Sequence, residues 1–382
     1  KCVEMAIDSL DKVEDFLPEH IRSSFGYPTL HQGLVQLHRP ADLDSAESAR
    51  ERLTFDEAFL LQSLLVLRRN ELRKLNTASR KAIKGGILDS FDASLPFQLT
   101  GGQKAVCAEI EADLAQDHPM HRLLQGEVGS GKTVIALRAA LTVIDNGGQV
   151  ALLAPTEVLA AQHQRTFTKL LGDLGDGGML GSGEVSTSVV LLTGSQNAAT
   201  RKEALAAIKT GSAGLVVGTH ALLSETVEFQ ELALVIVDEQ HRFGVAQRAK
   251  LWDKNKAFHP HILVMTATPI PRTLAMTLYG DLDVSVIDEL PAGRKPIETL
   301  HFYESQRLRM FGFMKQEIAK GRQVYVVYPL IQESAKLDLK NLMDGIEVMS
   351  REFPLPEYKI SIVHGQLNAK DKEFEMQRFV KG

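Results

Sequence analysis

The chain has 382 residues, enough for two or three domains that each bury a core, and its 44% hydrophobic and 24% charged residues are those of an ordinary globular protein. No apolar run reaches bilayer-spanning length and the N-terminus lacks a secretion signal, so no membrane partner is expected; two cysteines, Cys2 and Cys107, offer neither a disulfide framework nor metal-ligand spacing and fit a reducing cytoplasm. A net charge of −5 argues against indiscriminate nucleic-acid binding and leaves room only for a local basic groove.

From Leu10 to about Arg52, Pro18, Gly26, Pro28, Gly33 and Pro40 interrupt short amphipathic pieces, predicting an extended connector. Thr54-Phe-Asp-Glu57 has capping-box spacing, and Phe55, Ala58, Phe59, Leu65 and Leu72 recur near helical period, so a long helix is predicted from there toward Lys84. Its second half carries Arg68, Arg69, Arg73, Lys74, Arg80, Lys81 and Lys84. A solvated face accounts for such a run more simply than the alternative, a contact with a DNA backbone.

After Pro96 short apolar runs alternate with helical segments, the pattern of a parallel sheet with helices on both faces. The predicted strands are Leu123–Gln125, Val150–Ala154, Val189–Thr193, Leu215–Gly218, Leu234–Val237, Ile262–Thr266 and Val284–Ile287, with a Gly-rich surface loop at Gly172–Gly183. Pro291–Pro296 reads as a linker. Beyond it, strands are predicted at Glu298–Tyr303, Val324–Val327 and Ile360–Val363, and helices near Ser305–Lys320, Leu339–Phe353 and Ala369–Val380. Three strands are few for a doubly wound domain and leave an edge and a core uncovered. The division expected is therefore a helical connector over 1–95, an α/β domain over 96–290 and an incomplete α/β domain over 295–382. Because the chain begins at Lys1 without Met and ends just after a predicted helix, we expect a piece of a longer protein.

The chemistry centres on one loop. Gly126, Gly131, Lys132 and Thr133 satisfy G-x-x-x-x-G-K-S/T between an apolar strand and the apolar helical run Val134–Ile144, the context that a phosphate-binding loop requires. Gly129 and Gly131 let the backbone curl around phosphates, Ser130 lies in the cradle, Lys132 would reach the β and γ phosphates of ATP, and Thr133 would hold Mg2+. Asp238 and Glu239 end an apolar strand, where Asp238 can hold the metal and Glu239 can activate the attacking water. Upstream, the amide of Gln103 has the donor and acceptor to pair with adenine and Phe97 could stack on the base, although a helix start would want the same residues. Thr266 and Thr268 offer hydroxyls beside the carboxylates, within reach of His241; a structural strand-to-helix turn is the alternative there.

Gly126–Thr133, Pro155–Ala160, Thr193–Ser195, Gly218–Leu223, Asp238–Val245 and Thr266–Thr273 stand in the order of superfamily-two helicase motifs. From about Leu10 to Gly382 the sequence resembles the RecG family, bacterial ATP-dependent helicases of stalled forks and Holliday junctions. The transcription-repair coupling factor is the near alternative, but it usually carries Glu where this chain has Gln240. The resemblance implies a RecA-like P-loop NTPase domain followed by a truncated second RecA-like domain. It implies that Gln103 reads adenine, that Lys132, Asp238 and Glu239 are catalytic, and that Gln240, His241, Thr266 and Thr268 couple nucleotide state to motion. It also implies DNA-facing roles for Pro155, Thr156, Glu157, Thr193, Gly194, Ser195, Gly218, Thr219, His220 and His364. Branched double-stranded DNA is the implied partner and a monomer in the bacterial cytoplasm, at the nucleoid, the implied setting. A wedge domain before the connector and an arginine finger beyond Gly382 belong to the same expectation, since Arg272 and Arg294 do not stand where that finger is needed. Two other classes remain open: a passive ATP-dependent DNA-binding module, and a metabolic phosphotransferase, for which the Asp-Glu-Gln-His and Thr-Ala-Thr tandem has no use.

Overall fold

The structure, a computed structural model, describes residues 2–9, 13–175, 186–239, 258–268, 282–289, 297–328, 345–365, 367 and 369–381. The chain divides into two compact units, Lys1–Arg294 and Lys295–Gly382. No helix among the described residues is long and apolar enough to cross a membrane.

The first unit opens on helices α1 (Cys2–Asp8), α2 (Glu19–Phe25), α3 (Leu30–His38) and α4 (Leu43–Arg73), where an extended connector and a later helix were expected. The start of α4 is set by Asp42, whose carboxylate accepts the Ser45 N–H at 2.7 Å while Ser45 Oγ accepts the Asp42 N–H at 3.2 Å. The working capping box is this one, and the Thr54–Glu57 spacing falls inside the helix. Pro18 likewise precedes α2 instead of merely breaking the chain. Arg52, wholly buried on α4, donates to Asp15 at 2.6 Å, Asp56 at 2.9 Å and the Pro28 carbonyl at 3.0 Å, tying the first helices together. Of the basic run only Arg68, Arg69 and Arg73 lie on α4. Arg69 pairs with Asp283, and buried Arg80 pairs with Glu231 and donates to the Asn146 carbonyl, so these two stitch the helical segment to the sheet that follows.

After α5 (Ile87–Ser94) and α6 (Gly101–Leu114) the chain alternates: β1 (His121–Gly126), α7 (Lys132–Asp145), β2 (Gln149–Leu153), α8 (Glu157–Leu171), β3 (Val189–Leu192), α9 (Ala198–Lys209), β4 (Leu215–Gly218), β5 (Leu232–Asp238), β6 (His261–Thr266) and β7 (Asp283–Ile287). All the strands predicted for this unit are present, and their bounds differ by a residue or two. They form one parallel sheet of seven strands in the order β3-β4-β2-β5-β6-β1-β7. Central β2 and β5 are buried almost throughout, which is why their sequences are apolar without alternation. One face packs on Phe91, Leu114, Leu137 and Phe167, the other on Ile208, Leu222 and Val227. Gly172–Gly175 form a 3-10 turn; the rest of the predicted Gly-rich loop, and the linker 291–296, lie outside the described residues.

In the second unit helices occupy Arg307–Ala319, 345–352 and Ala369–Lys381. The strands expected at Glu298–Tyr303, Val324–Val327 and Ile360–Val363 are not formed: these described residues join no ladder. Their apolar side chains are used in packing instead, with Val324 and Ile360 against a small core of Phe311, Met314 and Phe353. Apolar, β-branched composition fits a half-buried surface and does not by itself supply a paired neighbour.

Candidate functional site

The strand order sets the carboxyl ends of β1, β6 and β5 side by side, with Gln125 opposite Thr266 and Asp238 opposite Met265. Ligands of open parallel sheets collect at such an edge. From β1 the chain enters the loop through Gly126 and turns at Gly129 (φ +86°) and Gly131 (φ +93°), left-handed conformations that glycine adopts without strain. A Cβ would meet Ser130 Oγ at 2.5 Å if placed on Gly126, and Gln103 Nε2 at 2.4 Å if placed on Gly131. Helix α7 then begins at Lys132 with no side-chain cap, leaving its first N–H groups for an anion.

Lys132 Nζ donates to the Gly126 carbonyl at 2.6 Å and the Glu127 carbonyl at 2.8 Å, so its amine lies inside the loop. Burial holds its pKa below the ordinary lysine value, and the nearby charges of Asp238 and Glu239 oppose that shift. Thr133 is half-buried on the first turn of α7. Ser130 is buried, and its Oγ has no partner among the described residues. A glycine cradle, an uncapped helix, one lysine and one carboxylate at the next strand end but one fit a triphosphate with its divalent cation.

Asp238 closes β5, and its Oδ2 lies 2.8 Å from His163 Nε2 on α8. Glu239 follows at φ +54°, the one described non-glycine residue with positive φ. Its N–H donates to the Met265 carbonyl at 3.0 Å and its Oε1 accepts the Ala267 N–H at 3.1 Å, while Thr266 Oγ1 accepts the Thr268 N–H at 3.1 Å. The carboxylate is thus joined, through Met265 and Ala267, to the strand end that carries the two threonines. Gln240 and His241, expected to make that link, lie outside the described residues, as do Arg272 and Arg294.

Gln103 is bound to the loop. Its Nε2 donates to the Ser130 carbonyl at 2.8 Å, and its Oε1 accepts the Thr100 N–H at 3.0 Å in the capping box that starts α6. Each end of the amide keeps one further hydrogen-bonding capacity, the most that a base could use. Glu289, just after β7, accepts from the Thr100 hydroxyl and the Gly102 N–H, which hold its carboxyl below the usual range. Phe97 is half-exposed on a cavity of about 360 Å³ lined also by Leu95, Leu99 and Lys104 but not by Gln103, so the two predicted base contacts do not share that cavity.

The segments expected to face DNA separate into two groups. Gly194, Ser195 and His220 are exposed, and Pro155, Thr156 and Glu157 are half-buried, at the carboxyl edge of the sheet. Glu157, in the first turn of α8, grips the neighbouring segment: it accepts the Ser195 N–H at 3.0 Å and the Ser195 hydroxyl at 2.5 Å. Thr193, Gly218 and Thr219 are buried beneath these exposed residues' segments. Gly218 is needed for a close approach, since a Cβ there would lie 2.3 Å from the Leu192 carbonyl oxygen. His364, in the second unit, is half-buried. Sequence reading missed His163 and Glu289, because no local pattern pairs a helical histidine with a carboxylate 75 positions away.

A family model described as DEAD/DEAH box helicase matches residues 100–277. The ATP-dependent DNA helicase RecG of Mycobacterium tuberculosis is 45% identical over an alignment covering 100% of this chain and 53% of that protein. RecG of Synechocystis is 44% identical over 97% of this chain and 43% of its own length. The chain thus spans about half the length of the relatives it matches. A solved structure, RecG bound to a three-way DNA junction, superposes with a TM-score of 0.77 at 36% identity, covering 99% of this chain and 48% of that one. The sheet is accordingly a RecA-like α/β fold. With its whole length aligned, its sheet matched and its motifs gathered at one strand edge, the chain belongs to the RecG family of superfamily-two helicases.

Proposed function

We propose that this chain binds ATP with Mg2+ at the loop Gly126–Thr133 and couples its hydrolysis to movement on double-stranded DNA, remodelling forks and Holliday junctions in recombination and repair in the bacterial cytoplasm. The observation that carries the reading is the meeting of the loop, Lys132, Asp238 and Glu239 at the ends of β1 and β5, which flank β6, with Glu239 hydrogen-bonded to the strand end that bears Thr266 and Thr268. The loop N–H groups and the Lys132 amine bind and neutralise the phosphates. Glu239, oriented through the Met265 carbonyl and the Ala267 N–H, holds and deprotonates the attacking water. Mg2+ supplies further charge neutralisation, and Thr133 and Asp238 are the residues that would hold it. At the surface, the groups around Ser195 and His220 grip phosphate without reading bases, and RecG bound to a three-way junction supports a branched substrate.

The test is ATPase stimulation by forked and by linear duplex DNA of equal length, in a chain of the relatives' full length. Forked DNA is expected to stimulate more strongly, with little dependence on base sequence. Turnover indifferent to DNA would reduce the protein to a nucleotide hydrolase and overturn the proposal.

A further inference from the structure

Asp238 is not a bare carboxylate. Its Oδ2 faces His163 Nε2 at 2.8 Å, with both side chains largely buried, and a carboxylate acceptor requires the proton on Nε2. The imidazole also packs on fully buried Phe167, one turn further along α8, with ring centroids 6.0 Å apart and planes inclined by 29°. The helix that carries both is anchored at its first turn, where Thr156 caps it and Glu157 grips Ser195 by two hydrogen bonds. His163 lies six residues beyond Glu157, a rise of about 9 Å along the axis. A histidine on a helix pinned at its start and packed through Phe167 has little freedom to leave the carboxylate. Groups that hydrogen-bond a metal-binding side chain fix its orientation and leave a defined oxygen for the ion.

We propose that His163 is a positioning residue: by donating Nε2–H to Oδ2 it fixes the Asp238 carboxylate and leaves Oδ1 turned toward the metal that accompanies the nucleotide. The inference rests on the proposed nucleotide site and adds to it the residue that orients its carboxylate. Its consequence is that metal-dependent binding requires a donor at the far nitrogen of residue 163, while metal-free binding, which uses the loop and Lys132, does not.

The experiment compares His163→Gln, His163→Met and His163→Asn in this chain, titrating a fluorescent ATP analogue with and without Mg2+ and checking each variant by thermal melt. Gln sets an amide N–H near the position of Nε2; Met is of similar length and volume and has no donor; Asn has the donor and is one methylene too short. The expected result is that Gln keeps most of the affinity gained on adding Mg2+. Met and Asn should lose about 10–100-fold of it, and all should match the wild type without metal. If Met destabilises the fold, the comparison of Gln with Asn still decides. Metal-dependent affinity unchanged in a folded Met or Asn variant overturns the proposal, as does a parallel fall in metal-free affinity. A wild-type chain whose nucleotide affinity ignores Mg2+ would instead overturn the proposed function itself.

Discussion

Glu239 combines a chemically apt side chain with a backbone conformation that glutamate rarely adopts. At φ +54° it sits in the left-handed region, which disfavours a side chain with Cβ by on the order of 1–2 kcal/mol. Two hydrogen bonds hold it there, from its N–H to the Met265 carbonyl and from the Ala267 N–H to its carboxylate. The carboxylate pair was legible from the apolar strand before it, but the strain was not, since nothing in Asp-Glu-Gln requires a left-handed residue. Gln103 shows the same limit: its amide chemistry was visible, whereas its tether to the Ser130 carbonyl depends on two segments meeting in space. We predict that Glu239→Gln keeps the fold and nucleotide affinity, because the amide oxygen can still accept from Ala267, while hydrolysis falls by at least about a hundredfold for want of a base. Single-turnover hydrolysis beside equilibrium binding checks this; a variant that turns over normally would remove Glu239 from the reaction.

Helix α5 illustrates how one element is held by the end of another. Its N-cap, Gly86, has no side chain to offer, and the Ile87 and Leu88 N–H groups donate instead to the two oxygens of Asp145, at 2.7 and 3.2 Å. Asp145 is the last residue of α7, where a carboxylate is unfavourable to its own helix dipole, so its presence there marks service to a neighbour. Gly86 is required by the same contact, as a Cβ would lie 2.5 Å from that carboxylate. Central strands were readable because burial on both faces leaves uninterrupted apolar runs. Helix starts were less so, because capping spacings such as Thr54–Glu57 also recur inside a charged helix, and extended apolar runs in the second unit do not reveal whether a partner strand exists. Asp145→Ala should lower stability by about 1–2 kcal/mol, as for loss of an N-cap, through α5 alone. Hydrogen exchange should show lost protection at residues 87–90 with the central strands unchanged; uniform loss across the sheet would mean that the contact is not local.

At the scale of the whole molecule, stability has a histidine at its base. His261 opens β6, fully buried, and its Nδ1 accepts the Met120 N–H at 3.0 Å. Burial, followed by the positive charge of Arg80 and the neighbouring His121 and His118, pushes its pKa down to about 4, while the nearby Ala78 backbone opposes the shift. In the unfolded chain the same group titrates near 6.5. Between those values the unfolded state holds a proton that the folded state does not, so stability rises with pH through this window. The contribution is complete above about pH 6.5, is lost progressively as pH falls, and is gone near pH 4, a total of roughly 3 kcal/mol at 1.36 kcal/mol per unit. Most unperturbed carboxylates titrate lower, near 4, so the upper part of the window isolates histidine. Denaturant unfolding of the chain from pH 7.5 to 5 should show the midpoint falling through this range. His261→Asn, whose amide oxygen can still accept from Met120, should flatten that fall while lowering stability at pH 7.5 only slightly. A slope unchanged by the substitution would assign the proton to another group.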